Sequence, residues 1–419
     1  MTDRRAQGPW APLAVRVYRA VWIAALVSNV GSFMHIAAAS WQMTLLTDSP
    51  TLIGLVQTAW AVPGFLLALH AGAITDIVDR TKLLYVTEII ALAIAAILGV
   101  LVLSGSMSVS VLLAGTFLES VVMTLSAPVF MAATPRFVGR ELVPQALGLD
   151  SASRNIAQTV GPALAGLVIA ASNAGIVFIF NAVSFIGILF VAHHFRDTTD
   201  DERRPTRVNA AIREGLAFVW RNARTRNVSI RILAVGITSS GLLSLVPVVA
   251  SQELDAGSFG YGLLAGALGL GSVLGILVMP RLRGRLSPER IVVASSVLWG
   301  GGVVAFAASS NVALGVLCVL VVGAAQMATM NTYWSRYLLE LPDWLRGRGT
   351  SLSMLVVWFG MSLGSSVWSS VAAASSVATA LTVVAVFHVG MALVGRTMLE
   401  MLAQLDAANI RIVSAQMIE

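Results

Sequence analysis

The feature of this sequence that most limits its fold is a series of long stretches without any Asp, Glu, Lys or Arg. Residues 20–47 and 49–75 are two of them, and each can supply one bilayer-crossing helix, which needs about 20 mostly apolar residues. Hydrophobic residues make up 57% of the 419-residue chain and charged residues only 11%, against about 25% charged residues in a soluble domain. This composition excludes a water-soluble enzyme and a disordered chain, and it predicts an all-α membrane protein.

Short polar breaks divide the longer uncharged stretches and predict turns between helices. They lie at 104–108, 172–175, 309–311 and 375–376, and acidic residues separate the stretches 232–252 and 256–280. One helix on each side of these five breaks gives ten helices, and the stretches 20–47 and 49–75 bring the total to twelve transmembrane helices.

The longest hydrophilic segment, 196–231, follows the sixth helix, so we expect two six-helix bundles, 1–195 and 232–419. The segment between them is predicted to be a cytosolic linker with an amphipathic helix on the inner leaflet. The apolar face of that helix would carry Ile212, Leu216, Val219 and Trp220. A simple solvated linker is the alternative.

The basic residues provide an independent test of the helix count. With the N-terminus in the cytosol, all 27 Lys and Arg residues fall in the two tails and the cytosolic loops. Cytosolic loops of membrane proteins carry such an excess of basic residues. We therefore expect a multi-pass membrane protein with both termini in the cytosol. Its positive charge would face anionic membrane lipids rather than nucleic acid.

Residues 72–82, between the second and third helices, read Gly-Ala-Ile-Thr-Asp-Ile-Val-Asp-Arg-Thr-Lys. This segment resembles the signature loop of the major facilitator superfamily, so the expected fold is the major facilitator fold. Asp76 lies at the C-terminal end of a helix, where the helix dipole disfavours an anion, and it needs a partner elsewhere. The resemblance implies a gate on the cytosolic side formed by Gly72, Asp76, Asp79 and Arg80, with the N-terminus of the eleventh helix as partner. The loop 281–285 in the other half lacks an acid, so this latch is expected on one side only.

The fifth helix resembles the antiporter motif of the same superfamily, with Ala at two of the Gly positions. The matching residues are Gly148, Ala157, Gly161, Pro162, Ala165 and Gly166. In the family this motif is associated with export. The run 41–50 adds a resemblance to the bacterial subgroup that contains the enterobactin exporter and the macrolide efflux pumps. This resemblance implies that the protein lies in the bacterial cytoplasmic membrane.

Glu119 lies in the middle of the predicted fourth helix. A charged side chain there costs about 2.5–3.5 kcal/mol on insertion scales, so it is a functional candidate by default. We expect Glu119 to couple transport to protons or to bind a cationic group of the substrate. The alternative is a structural acid hydrogen-bonded to a neighbouring Ser or Asn.

Other polar or aromatic residues within the spans are candidates to line a substrate cavity, although single polar residues often only join helices. The candidates are His35, Gln57, Arg154, Asn155, Gln158, Asn181, Gln326, Asn331 and Trp358.

The sequence favours a secondary transporter that exports a small organic molecule, a siderophore or a drug, by proton antiport with alternating access. It would act as a monomer, driven by the proton motive force without a cofactor or metal. Uptake by proton symport and a non-transporting interaction or sensor protein are the alternatives. An enzyme is disfavoured because no span carries paired carboxylates, a His cluster, a C-x-x-C or a G-x-S-x-G site.

Overall fold

The computed structural model describes residues 8–77, 79–194, 217, 219–342 and 346–416. Within these ranges, side chains are not described at 68–77, 80–81, 131–133, 135–136, 140, 192–194, 346–348, 350–351 and 399–416.

Twelve long helices make up this described part of the chain. Their bounds are α1 Arg16–Leu46, α2 Pro50–Ile77, α3 Arg80–Leu103, α4 Val109–Val138, α5 Val143–Ala171, α6 Ala174–His194, α7 Ala223–Val248, α8 Gly257–Arg283, α9 Pro288–Ala307, α10 Val312–Glu340, α11 Arg346–Ala374 and α12 Val377–Gln416. A π-helical turn, Val249–Glu253, extends α7. Every predicted polar break lies at a junction between two helices, although the break 172–175 includes the first two residues of α6, and caps explain several of the starts. Ser108 and Asn311, for example, each accept a backbone N–H from the first turn of the helix that follows.

Eleven of the twelve helices contain a stretch long and apolar enough to cross a membrane. The exception is α5, which carries Asp150 and Arg154 but is 29 residues long and packs between α1 and α8. Large apolar side chains on the other helices are exposed, such as Ile97, Leu277 and Val386, as expected of surfaces that face lipid rather than water. The prediction of a twelve-span all-α membrane protein is confirmed.

One predicted boundary differs from the structure. The seventh helix begins at Ala223, inside the segment predicted as linker, because Asn222 caps it and the buried Arg231 is paired with an acid. The fifth helix begins at Val143 and contains Arg154, as expected of a candidate within a span, although the count of basic loop residues includes it. Most of the predicted amphipathic linker helix lies outside the described residues, although 219–221 are helical.

The two halves pack by the same scheme. In the first, α1 contacts α5 and α6, α2 contacts α4, and α3 contacts α4 and α6. In the second, α7 contacts α11 and α12, α8 contacts α10, and α9 contacts α10 and α12. Each helix thus corresponds to the one six places later, which makes the halves structural repeats. Two pairs make most of the contact between the halves, α2 with α11 and α5 with α8.

The twelve helices alternate in direction, so the start of α1 and the end of α12 lie at the same end of the bundle. This end is called the terminal end, and the opposite end is called the far end. At the far end a single buried cluster spans both halves, from Met43 of α1 to Val249 beside α7 and Leu381 of α12. Toward the terminal end, the described buried clusters each belong to one half. The two halves therefore share one buried core at the far end, whereas the described buried clusters toward the terminal end each lie within one half.

Candidate functional site

A buried polar triad occupies the middle of the first half. His35 of α1, Glu119 of α4 and Asn181 of α6 are each 0% exposed. His35 Nδ1 lies 2.9 Å from Glu119 Oε2, and Asn181 Nδ2 donates to Glu119 Oε1 at 2.6 Å. Sequence reasoning selected all three residues separately, and the structure brings them together.

Close packing holds the triad away from solvent. Gly31 lets α6 approach α1, since a Cβ at this position would lie 2.6 Å from Asn181 Oδ1. The His35 ring packs on Phe178 with 4.6 Å between the ring centroids. Among the described residues, His35 is the one basic group within ion-pair distance of Glu119. An ionised carboxylate buried in this way is costly unless it is paired or protonated.

The second half contains a neutral counterpart of the triad. Gln326 of α10 donates to Ser239 of α7, which repeats the link from α4 to α1 made by Glu119 and His35. His388 of α12 lies 2.7 Å from Thr238 Oγ1 and stacks on Trp299. Described carboxylates are absent from these contacts, so this counterpart lacks the acid that Glu119 supplies in the first half.

The antiporter-motif residues form two contact faces of α5. Gly161 packs on α1, where an added Cβ would lie 2.7 Å from Phe33 Cβ. Gly166 packs on α8, where its added Cβ would lie 2.5 Å from Gly262 Cα. Such small residues allow close approach of helix backbones. Ala157 and Ala165 are fully buried on the same helix, Pro162 lies within it, and an added Cβ on Gly148 would meet open space.

Three of the predicted cavity residues lie on one side of α5. Arg154 and Gln158 are exposed and Asn155 is half-buried. Of the six remaining candidates, His35 and Asn181 are completely buried in the triad, whereas Gln57, Gln326, Asn331 and Trp358 are half-buried.

The half-buried candidates contact neighbouring helices. Trp358 of α11 lies against Gly64 of α2, and Asn331 of α10 accepts a hydrogen bond from Arg283 of α8 at 2.6 Å. Beside Gln57, Thr58 bonds to the hydroxyls of α11 across the halves. The roles of these residues in binding a substrate stay predictions.

The surroundings of three predicted gate residues, Gly72, Asp76 and Arg80, lie outside what the structure describes. Asp79 is described and acts as the N-cap of α3, where its carboxylate accepts the backbone N–H of Lys82 at 2.9 Å. Asp79 of the signature loop therefore stabilises the start of α3. Its participation in a gate stays a prediction.

Sequence reasoning missed a charge cluster in the second half. Arg231 of α7 binds Glu289 of α9 with two hydrogen bonds of 3.0 Å, and Arg336 of α10 also binds that carboxylate. The Arg231 guanidinium lies 5.3 Å from the centre of the Tyr333 ring. The available signal was Ser-Pro-Glu at 287–289, a helix start with an acid in its first turn.

Sequence comparison decides the family. The family model described as transmembrane secretion effector, of the major facilitator superfamily, matches residues 7–418. The chain belongs to this family. Its members are transporters and not enzymes, so this protein is a multi-pass membrane transporter of the superfamily, as the signature loop predicts.

Named relatives of this transporter are about one quarter identical to it. The staphyloferrin A transporter of Staphylococcus aureus is 24% identical over 331 residues, covering 78% of this chain and 82% of the relative. The enterobactin exporter of Salmonella typhi is 24% identical and covers 80% of each chain. The multidrug efflux pump Tap of Mycolicibacterium fortuitum is 26% identical over 280 residues, which cover 63% of this chain and 68% of the relative.

Solved structures confirm the fold of this major facilitator protein. A bacterial homologue of the human lysosomal transporter Spinster, inward-facing and unoccupied, aligns with a TM-score of 0.73 at 14% identity, over 92% of this chain and 97% of its own. A bacterial homologue of the iron transporter ferroportin, in an inward-facing state, aligns with a TM-score of 0.68 at 16% identity, over 91% of this chain and 97% of its own.

Proposed function

We propose that the protein exports a small organic molecule of the siderophore or drug class from the bacterial cytoplasm in exchange for protons. The substrates named for its relatives support this class: two are siderophores and the third relative is a multidrug pump. The antiporter-motif contacts of α5 favour export over uptake. The observation that carries the proposal is Glu119, an acid without solvent exposure whose partner is His35.

The triad is suited to hold one proton. When Glu119 and His35 share one proton between them, the pair is neutral overall, either as carboxylate and imidazolium or as carboxylic acid and imidazole. Loss of that proton would leave a net negative charge in a dry interior, and a second proton would leave a net positive one. Both states carry a large solvation cost. Proton exchange therefore requires water to reach the triad, which links it to a conformational change.

The terminal end is assigned to the cytosol because every basic residue lies on that side of the chain. The shared far-end core is then the closed outer gate, and the terminal end, where the described buried clusters each lie within one half, is the side that opens to the cytosol. Rocking of the two repeats about the α2–α11 and α5–α8 contacts would open the far end. Gly72, Asp76, Asp79 and Arg80 would latch the cytosolic side in that second state. The protein works as a monomer without a cofactor, with its basic loops on anionic lipid.

The proposal is tested in two stages. Untargeted mass spectrometry compares the small molecules retained by cells with and without the protein, which identifies the substrate and the direction of flux. Proteoliposomes loaded with that substrate and given a pH gradient then measure coupled transport. Glu119→Gln should abolish pH-driven flux, because the amide cannot take up or release the proton.

The matched control is Glu88→Gln, which neutralises another buried acid of the same half, on α3. This variant should retain pH-driven transport. Equal rates for Glu119→Gln and the unmodified protein would eliminate the coupling role of the triad, and inward flux of the substrate would establish uptake instead.

A further inference from the structure

One contact between the two halves is a seam that runs along α5 and α8. It is made by Gly262, Gly266 and Gly269 of α8, where an added Cβ would lie 2.6, 2.8 and 2.6 Å from atoms of α5. These positions follow one another at the spacing of a single helix face and cover about 10 Å of its length. Backbones packed this closely over such a length stay together when the halves tilt, so the seam acts as a pivot.

A second seam joins α2 and α11. Gly54, Thr58 and Gly64 of α2 all contact α11, the first at Ser369 and the last at Trp358. These contacts also extend along the helix, over about 15 Å. The halves can therefore rock about the two seams, and contacts between the halves that lie outside the seams must break when the bundle opens.

A buried aromatic pair is such a contact, and it lies near the far end. Trp41 of α1 stacks on Tyr261 of α8, with 5.6 Å between the ring centroids and 21° between the ring planes. Trp41 precedes the end of α1 by five residues and Tyr261 follows the start of α8 by four, so the pair lies about 6–8 Å inside the far end. The two residues are only 7% and 5% exposed and belong to the core that the halves share.

A hydrogen bond also links the halves at this end, but it contributes less. Gln252 Nε2 donates to the backbone carbonyl of Asp48 at 3.0 Å. Gln252 is exposed, so water can replace this bond when it breaks. Separation of the two rings instead exposes large apolar surfaces, since an aromatic side chain buries about 150–250 Å². The ring stack is therefore the stronger of these two contacts.

The helix that carries Trp41 also carries the triad histidine. His35 and Trp41 are six residues apart on α1, which is about 9 Å along the helix. Every residue from Met34 to Met43 is buried, so this segment moves as one packed unit. A shift of α1 at His35 is then transmitted to the ring of Trp41.

We propose that Trp41 and Tyr261 form an aromatic clasp that holds the far end closed, and that separation of these two rings opens the outer gate. This inference rests on the proposed function, which assigns the far end to the outside. The close contact of Gly262 with Gly166 keeps α8 on α5 while the neighbouring Tyr261 leaves Trp41. Trp41 and Tyr261 are thus positioning residues of the transport cycle, and they need not touch the substrate.

The test measures the opening of the far end in full-length protein in liposomes, at one pH and without substrate. Spin labels are attached to Ser49→Cys and Asp255→Cys after the single cysteine is replaced by Cys318→Ala. Trp41→Leu and Tyr261→Leu remove one ring each but keep an apolar side chain. Each should raise the ratio of long to short label distances about fivefold, the factor that a buried aromatic pair contributes to an equilibrium.

Tyr261→Phe tests whether the ring stack carries the effect, because this variant keeps the ring, and it should leave the distances unchanged. Phe387→Leu is the matched control. Phe387 pairs with Trp368 at 6.2 Å between ring centroids, but both rings belong to the second half, so this variant should also leave the distances unchanged.

Three results would overturn the clasp. They are unchanged distances in both Trp41→Leu and Tyr261→Leu, an equal increase in Phe387→Leu, and an increase in Tyr261→Phe that matches that of Tyr261→Leu.

The outcome is separable from that of the proposed function. Tyr261→Leu combined with Glu119→Gln should still lengthen the distance, because the clasp acts after the triad. Longer distances in the leucine variants, together with undiminished pH-driven flux in Glu119→Gln, keep the clasp and remove the proton coupling. Unchanged distances in the leucine variants, together with flux lost in Glu119→Gln, keep the coupling and remove the clasp.

Discussion

The charge cluster of the second half gives a stability prediction that can be worked from its geometry. Arg231 is 2% exposed, it makes two hydrogen bonds to Glu289, and Gly395 leaves the space that its guanidinium fills. Glu289→Ala would leave this cation buried without its partner. Removing one member of a buried ion pair costs about 3–5 kcal/mol. The Glu289 side chain is 21% exposed, so we expect Glu289→Ala to lower the free energy of unfolding by the lower end of that range, about 3 kcal/mol.

The assay is unfolding of purified protein in mixed detergent micelles, followed by tryptophan fluorescence. Arg336→Gln is the matched control, since Arg336 is 28% exposed and a partly exposed pair contributes about 0–1 kcal/mol. The double variant Arg231→Met with Glu289→Gln should recover most of the loss, because it buries no unpaired charge. A Glu289→Ala loss no larger than that of Arg336→Gln would refute the reasoning.

Two further predictions concern helix contacts. Gly262→Val should impair transport, because a Cβ at this position would lie 2.6 Å from Gly166 Cα and force α5 from α8. Gly148→Ala, which meets open space, should transport normally, and equal rates for the two would contradict this packing argument. Asp79→Ala should destabilise the start of α3 by about 1 kcal/mol while Asp79→Asn retains the cap, as measured by unfolding and by hydrogen exchange at 80–83. Similar exchange in both variants would show that the cap contributes little.

Much of the fold could be predicted because lipid imposes one simple rule, that charge is excluded from spans. The turns at 104–108 and 309–311 follow directly from that rule. The rule misplaced the start of α7 because it treats every charge as a boundary. Arg231 is tolerated inside α7 because it is paired with Glu289.

The candidate site was predictable residue by residue but not as a unit. Glu119, His35 and Asn181 were selected because each is polar within a span, yet they lie on three helices far apart in sequence. No local pattern encodes that α1, α4 and α6 meet at this depth. The loop 281–285 of the second half lacks an acid, as the sequence shows. The nearby acid Glu289 lies at the start of α9, where it binds Arg231 and Arg336.

The central claim is that the protonation state of the buried triad controls which end of the bundle is open. Distance measurement between spin labels at Ser49 and Asp255, on the far-end loops of the two halves, tests it most directly. In the unmodified protein, the distance between the labels should change between acidic and alkaline buffer, and Glu119→Gln should hold it constant. An identical pH response in the variant, or no response in the unmodified protein, would contradict the account.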